Sequence, residues 1–330
     1  MKKALLCAAL VVTDLGLVYS SRAARTVAAQ EQITGDWSAK VTDTDQGKRL
    51  WLQMETRKLN GHSKMSSTFK LEEFSGFNPN ANGNTQFAFK KEAGEMLFTG
   101  LVNDGKGVGD FRFTPNGNFI NAMRGLGYDN LSSEKVFAMT LHDVTTKFVD
   151  EVKRMGFEKV SGDKLIAFRI FQVDEEFICG MQALGYKDLS ADKAIAMRVH
   201  KVDATFIKDA ADLGYKNLSV DKLLAMKIHK INREFISEAK AQGFNDLSLD
   251  QLMTMRIHRI NGEFIKNVQA MGYNGLPFDK LVAMKIHGID GKFIQEMKDA
   301  GYSNLSVDEL LKLKIHGVNG DYIKKMKGTN

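Results

Sequence analysis

The chain has 330 residues, of which 43% are hydrophobic and 26% charged, the make-up of a soluble globular protein with room for two domains. Only three prolines favour helices over long irregular loops. The formal net charge is +6, and the +3 expected after removal of residues 1–29 is too mild to mark a protein that binds nucleic acid or an anionic membrane by bulk charge.

Residues 1–29 read as a cleavable export signal. Lys2 and Lys3 precede an apolar run from Ala4 to Val12, and Val27-Ala28-Ala29 offers the small residues a signal peptidase accepts. Asp14 interrupts the run, so a membrane-spanning helix of about 20 residues is excluded and an uncleaved anchor is the lesser alternative. Leu6 ahead of Cys7 argues against a lipoprotein site. Cleavage after Ala29 removes four basic residues and one acid, lowering the net charge from +6 to +3. Cys179 is then the remaining cysteine, and no intramolecular disulfide can form. Phe177 and Met181 on either side make it read as a small buried hydrophobe. The expected location is the periplasm or outside the cell, with no membrane span in the mature chain.

Residues 30–113 follow period-two patterning: Leu50, Leu52, Met54; Phe69, Leu71; Phe87, Phe89; Phe111, Phe113. Asn60-Gly61, Asn82-Gly83 and Asp104-Gly105 are hairpin-turn signals between these runs. The pattern predicts a small antiparallel meander of about six strands. "GKGVG" at 105–109 lacks the Gly-Lys-Ser/Thr end of a phosphate loop and reads as turn and strand. The last strand runs into "TPNGNFINAMRGLGY", so the sheet is expected to cap the first of the helical repeats that begin there.

From 114 to 327 the chain keeps a 29-residue period. Phe119, Phe148, Phe177, Phe206, Phe235, Phe264, Phe293 and Tyr322 fall at that step, as do the glycines from Gly127 to Gly301. Seven full repeats and part of an eighth result. Each reads as two short helices. Asn116, Thr145, Asp174, Asp203, Asn232, Asn261, Asp290 and Asn319 stand three residues before the aromatic, where a side chain can cap a helix start. The glycine suits the left-handed position that ends the first helix. A serine five residues on (Ser132, Ser161, Ser190, Ser219, Ser248, Ser306) opens the second, with an acid two residues later for the helix dipole. The sixth repeat has Pro277 in place of serine and should lose that cap. Helices this short need stacked neighbours to bury their faces. The expected architecture is mainly α, a right-handed α-solenoid of helix pairs behind the β-meander, α+β overall.

Two columns of the repeat could carry chemistry. His142, His200, His229, His258, His287 and His316 share one column, and the second repeat places Phe171 there. Neighbouring helices pack about 8–10 Å apart, too far for equivalent imidazoles to share an ion held at about 2.1 Å. The histidines are read as structural, donating to orphan carbonyls in the last helical turn; no metal and no cofactor is expected. Two residues earlier lie Arg169, Arg198, Lys227, Arg256, Lys285 and Lys314, between the apolar columns of Leu223 and Ile228. Their long stems can pack while the heads reach water. The heads either meet partners within the chain, such as acids on the neighbouring repeat, or form a docking ridge for an acidic protein or peptide.

The stretch "GYNGLPFDKLVAMKIHGIDGKFI" at 272–294 resembles tandem helical repeats of exported bacterial proteins, which also occur beside some antirepressor-sensing membrane metallopeptidases. "AGEMLFTGLVNDGKGVGDFRFTPN" at 93–116 is similar to the segment preceding those repeats. The resemblance implies an extracytoplasmic accessory or sensing role, without the peptidase module, whose zinc-binding helix is missing from the sequence. The function expected is a non-enzymatic extracytoplasmic scaffold for protein or peptide partners, with no nucleic acid bound. The alternative is a cell-envelope sensor or small-ligand binding protein with a site in the β segment near Trp51, His62 and Phe74.

Overall fold

The computed structural model describes residues 32–45, 47–58 and 61–328. The expected export signal with its cleavage point, the turn position Asn60 and the side chain of His62 lie outside the described residues.

Seven strands form one antiparallel sheet: β1 (Ile33–Thr44), β2 (Gly47–Lys58), β3 (Gly61–Lys70), β4 (Phe74–Ser75), β5 (Gly83–Lys91), β6 (Gly94–Asn103) and β7 (Lys106–Pro115). Their order is β3-β2-β1-β7-β6-β5-β4. The strand beyond the expected six is β4, two residues long, where Phe74 pairs with Phe89. Leu71, expected on a strand, instead starts a 3-10 turn that leads into it. Alternation puts Trp37, Leu50, Leu52, Met54, Phe69, Phe74, Phe87, Phe89, Met96, Phe98, Phe111 and Phe113 on one face, none more than 7% exposed. The sheet curls: Phe69 on one edge strand lies 5.6 Å from Phe74 and 5.2 Å from Phe89 near the other edge. Gly100 and Gly109 pair where a Cβ on either would come within 2.1 Å of the opposite strand's carbonyl oxygen. Only glycine allows backbones that close.

Asp104-Gly105 is the turn its sequence signals, with φ of 47° and 68°, and it joins β6 to β7. Asn82-Gly83 is not a hairpin; Asn82 Oδ1 accepts the Asp104 N–H and Gly83 opens β5. The hairpin between β5 and β6 closes at Lys91 and Gly94 across Glu92-Ala93, which carry no such signal. This compact unit runs to Ile120 and includes residues 130–137, so Phe137 belongs to it; its ring lies 6.0 Å from Phe111 and 5.1 Å from Phe113.

The remaining elements are helices: α1 (Gly117–Gly125), α2 (Ser133–Leu141), α3 (Thr146–Arg154), α4 (Gly162–Phe171), α5 (Glu175–Ala183), α6 (Ala191–Val199), α7 (Ala204–Asp212), α8 (Val220–Ile228), α9 (Arg233–Ala241), α10 (Leu249–Ile257), α11 (Gly262–Ala270), α12 (Phe278–Ile286), α13 (Gly291–Asp299), α14 (Val307–Ile315) and α15 (Gly320–Lys327). The fold is therefore α+β. Most helices span nine residues, and their starts follow the capping columns. Asp290 Oδ1, for example, accepts the Phe293 N–H at 2.9 Å and Ser219 Oγ the Lys222 N–H at 3.3 Å. Pro277 provides no side-chain cap to α12. The column glycines from Gly127 to Gly301 have φ between 90° and 100°, a left-handed region that a Cβ disfavours.

In five of the seven full repeats the first helix buries its aromatic, the next residue and one a turn later, as in Phe293, Ile294 and Met297 of α13, whereas Phe206 of α7 and Phe264 of α11 are half-buried. The second buries every third residue, as in Val220, Leu223 and Met226 of α8. Cys179, expected to be buried, is exposed: α5 turns Phe177, Ile178 and Met181 inward, and position 179 falls on the other side. No helix among the described residues is long and apolar enough to cross a membrane.

Candidate functional site: the edge of helix C-termini

The second helix of the second to seventh repeats ends in a basic residue and an aliphatic one, where the first repeat has Thr140 and Leu141, and a histidine follows in six of the seven full repeats. The basic head turns inward over the aromatic ring of its own repeat. Arg169 lies 5.0 Å from the Phe148 centroid, Arg198 5.0 Å from Phe177 and Arg256 3.8 Å from Phe235. Lys227, Lys285 and Lys314 sit 4.1, 4.5 and 4.3 Å from Phe206, Phe264 and Phe293. The attraction of a cation to a ring face holds each of them. The arginines also reach back one repeat: Arg169 Nε donates to His142 O, Arg198 Nε to Phe171 O and an Arg256 Nη to Lys230 O. These carbonyls close the preceding second helix, where a cation also meets the negative end of the dipole. Arg169 pairs with Asp143 as well, at 3.3 Å.

This arrangement changes the role of the histidines. Each contributes its backbone N–H to the carbonyl four residues back, for instance His229 N to Ala225 O at 2.9 Å. Among the described residues none of the six imidazoles donates to a carbonyl; where the next repeat carries an arginine, its guanidinium does so instead. Burial, then the charge of Arg169, holds the pKa of His142 below the usual imidazole value. No cluster of three or more metal-ligating side chains occurs among the described residues.

The acids read as dipole partners have a second role that spacing alone did not reveal. Lys164 pairs with Asp192 at 2.9 Å, Lys193 with Asp221 at 3.0 Å, Lys222 with Asp250 at 3.6 Å, and Lys280 with Asp308. Each pair joins successive repeats. A hydroxyl tie runs the same way, with Tyr186, Tyr215 and Tyr273 Oη donating to Leu218, Leu247 and Leu305 O at 2.8–2.9 Å. Burial raises the pKa of all three phenols, and Glu309 adds to the rise at Tyr273.

What faces outward is the aliphatic column. Ile170, Val199, Ile228, Ile257, Ile286 and Ile315 are 44–59% exposed, although sequence alone makes them look like core. Ile228 follows Met226 by two residues, about 200° further around the helix than that buried residue. Two residues beyond each aliphatic comes a turn residue with positive φ. Lys201, Lys230 and Arg259 occupy it at 52–55°, where the sixth and seventh repeats have Gly288 and Gly317. A side chain costs about 1 kcal/mol there relative to glycine. The second helix of the second to seventh repeats thus ends in an exposed aliphatic residue, followed two residues later in the third to fifth repeats by a cation.

In the β unit, Trp51 and Phe74 do not share a face. Trp51 lies outside the curl with Lys40 Nζ 5.3 Å from its ring, while Phe74 is packed inside among Phe69, Phe87 and Phe89. On the outer face Arg57 bridges Asp36 and Asp110, and those hydrogen bonds raise its pKa further. No protein-family model, curated protein or solved structure matches this chain.

Proposed function

We propose that this protein is a non-enzymatic, exported repeat scaffold. Its helix pairs stack as a solenoid, and the edge of helix C-termini docks an extended protein or peptide segment that places carboxylates beside apolar side chains. The observation that carries this reading is the exposed column from Ile170 to Ile315, kept aliphatic and outward in six successive repeats. Isolated surface aliphatics need no explanation, but a row at constant spacing does. Support for an acidic partner comes from Lys201, Lys230 and Arg259, held beside the row in a conformation glycine would adopt more easily. The lysine–aspartate pairs and tyrosine ties between successive repeats support the stacking. The arginines of the basic column are tied to carbonyls within the chain and its lysines lie over rings of their own repeats, so the aliphatic row carries the docking instead.

The test is selection of binding peptides from a random displayed library on the mature chain, followed by titration against an Ile228→Gln/Ile257→Gln variant. Both positions are exposed, so the melting temperature should hold. Selected peptides should be rich in Asp or Glu next to Leu, Ile or Phe, and the double variant should lose tenfold or more in affinity. Unchanged affinity in that variant would remove the row from the mechanism.

A further inference from the structure

We infer that the sixth repeat contains a binding pocket for a carboxylate carried on an apolar body. A cavity of about 630 Å³ opens there, within the range of ligand pockets. Phe264, Met271, Met284 and Ile289 supply apolar wall, while Lys285 and Asn267 bring an ammonium and an amide. Other crevices follow from the repeat itself. One of about 460 Å³ beside Tyr186 and Tyr215 returns two repeats later, at about 210 Å³, beside Phe244 and Tyr273.

The cavity beside Phe264 comes instead from substitutions that the sixth repeat combines. Gly288 lines it where the two preceding repeats hold Arg259 and Lys230, and Gly291 lines it as well, in a column that already has Gly262 one repeat earlier. Asn267 stands where the repeats on either side have Glu238 and Glu296. The first change removes long side chains; the second removes a negative charge from the wall that Lys285 shares. Phe264 is half-buried, as is Phe206 two repeats earlier, whereas Phe235 and Phe293 are 4% and 3% exposed. Lys285 Nζ lies over that ring at 4.5 Å and makes no ion pair among the described residues. Asp290 also reaches the wall, but its carboxylate is turned into α13, where it accepts the Phe293 N–H. An acid group can therefore meet the Lys285 ammonium and the Asn267 amide while its apolar body lies against Phe264 and the methionines. A free aromatic acid and the C-terminal residue of a peptide both offer that chemistry.

The pocket stands apart from the docking row, whose Ile228 and Ile257 do not line it. Isothermal titration of the full chain with 3-phenylpropionate, its methyl ester, and an acetylated tetrapeptide ending in phenylalanine tests it. The acid, the peptide or both should bind saturably. Asn267→Glu should weaken the binder at least tenfold, Asn267→Gln should leave it within about twofold, and the ester should bind both variants and the parent alike. Binding of the tetrapeptide without the free acid would identify a peptide terminus as the source, and the reverse a small acid. The Ile228→Gln/Ile257→Gln variant should bind the probes as the parent does, which separates failure of the pocket from failure of the row. Affinity unchanged by Asn267→Glu, or no saturation by either acid below about 10 mM, would overturn the assignment.

Discussion

The junction between the fourth and fifth repeats and that between the fifth and sixth use the same columns but different ties. At the first, Tyr215 donates to Leu247 O, Lys222 pairs with Asp250, and Ser248 caps α10. At the second, Phe244 has no hydroxyl for Leu276 O, Gln251 stands opposite Asp279, and Pro277 offers no cap. Gln251 is spent within its own helix, where its Oε1 accepts the Ser248 N–H. Yet α12 begins and ends on the same columns as α10, and Leu281 and Met284 are as deeply buried as Leu252 and Met255. Apolar columns and backbone capping therefore set the register, and the polar ties adjust its strength. Where the hydroxyl is missing, Phe244 meets Phe278 edge-on at 6.1 Å, an apolar contact in place of a polar one.

If burial sets the register, the largest effects should be equal at the two junctions. Leu252→Ala and Leu281→Ala should each cost about 2–5 kcal/mol in denaturant unfolding, and a difference above about 1 kcal/mol would show that the ties matter more than burial. Next comes Arg256→Glu, which removes the cation from Phe235 and the bond to Lys230 O. It should destabilise by about 1–3 kcal/mol, whereas a reversal on a free docking ridge would leave stability unchanged. Tyr215→Phe should cost about 1 kcal/mol and speed amide hydrogen exchange around Leu247. Phe244→Tyr should recover no more than that at the weaker junction, measured at Leu276. The smallest effect is Gln251→Lys: any gain from a new pair with Asp279 should stay below about 0.5 kcal/mol and vanish in about 1 M salt. A larger, salt-resistant gain would mean that the ladder carries more than its exposure suggests.

Much of the helical part could be read from the sequence because its signals are local. A serine or aspartate caps amides two or three residues away, and a glycine with positive φ ends its own helix, so Ser219, Asp290 and Gly272 need no neighbour to be interpreted. Pro277 was legible as a missing cap for the same reason. Contacts between repeats were not legible, since column spacing gives no distance from one repeat to the next. Thus the lysine–aspartate pairs, the tyrosine ties and the seat of Arg256 over Phe235 emerged only in three dimensions. The exposed Ile228 column was misleading because a helix of nine residues ends before its last aliphatic meets a neighbour. In the sheet, the Asp104-Gly105 turn was plain, while Glu92-Ala93 turns without a characteristic dipeptide and β4 is too short to show alternation. The cavity beside Phe264 left a faint signal: glycine at 288 together with an amide at 267, visible only when repeats are laid over one another.

The tyrosine tie has a consequence for how such a chain can change. Its reach is one unit onward, from Tyr215 to Leu247, and the lysine–aspartate bond spans a similar interval. A duplication or deletion of one whole 29-residue unit would hand every such partner to an equivalent one, leaving sequence separation between contacting groups as it was. Folding speed tracks that separation, so helical segments with more or fewer units should form at comparable rates. Length is then free to vary with whatever the protein must span, while an insertion of any other size would put each donor out of step.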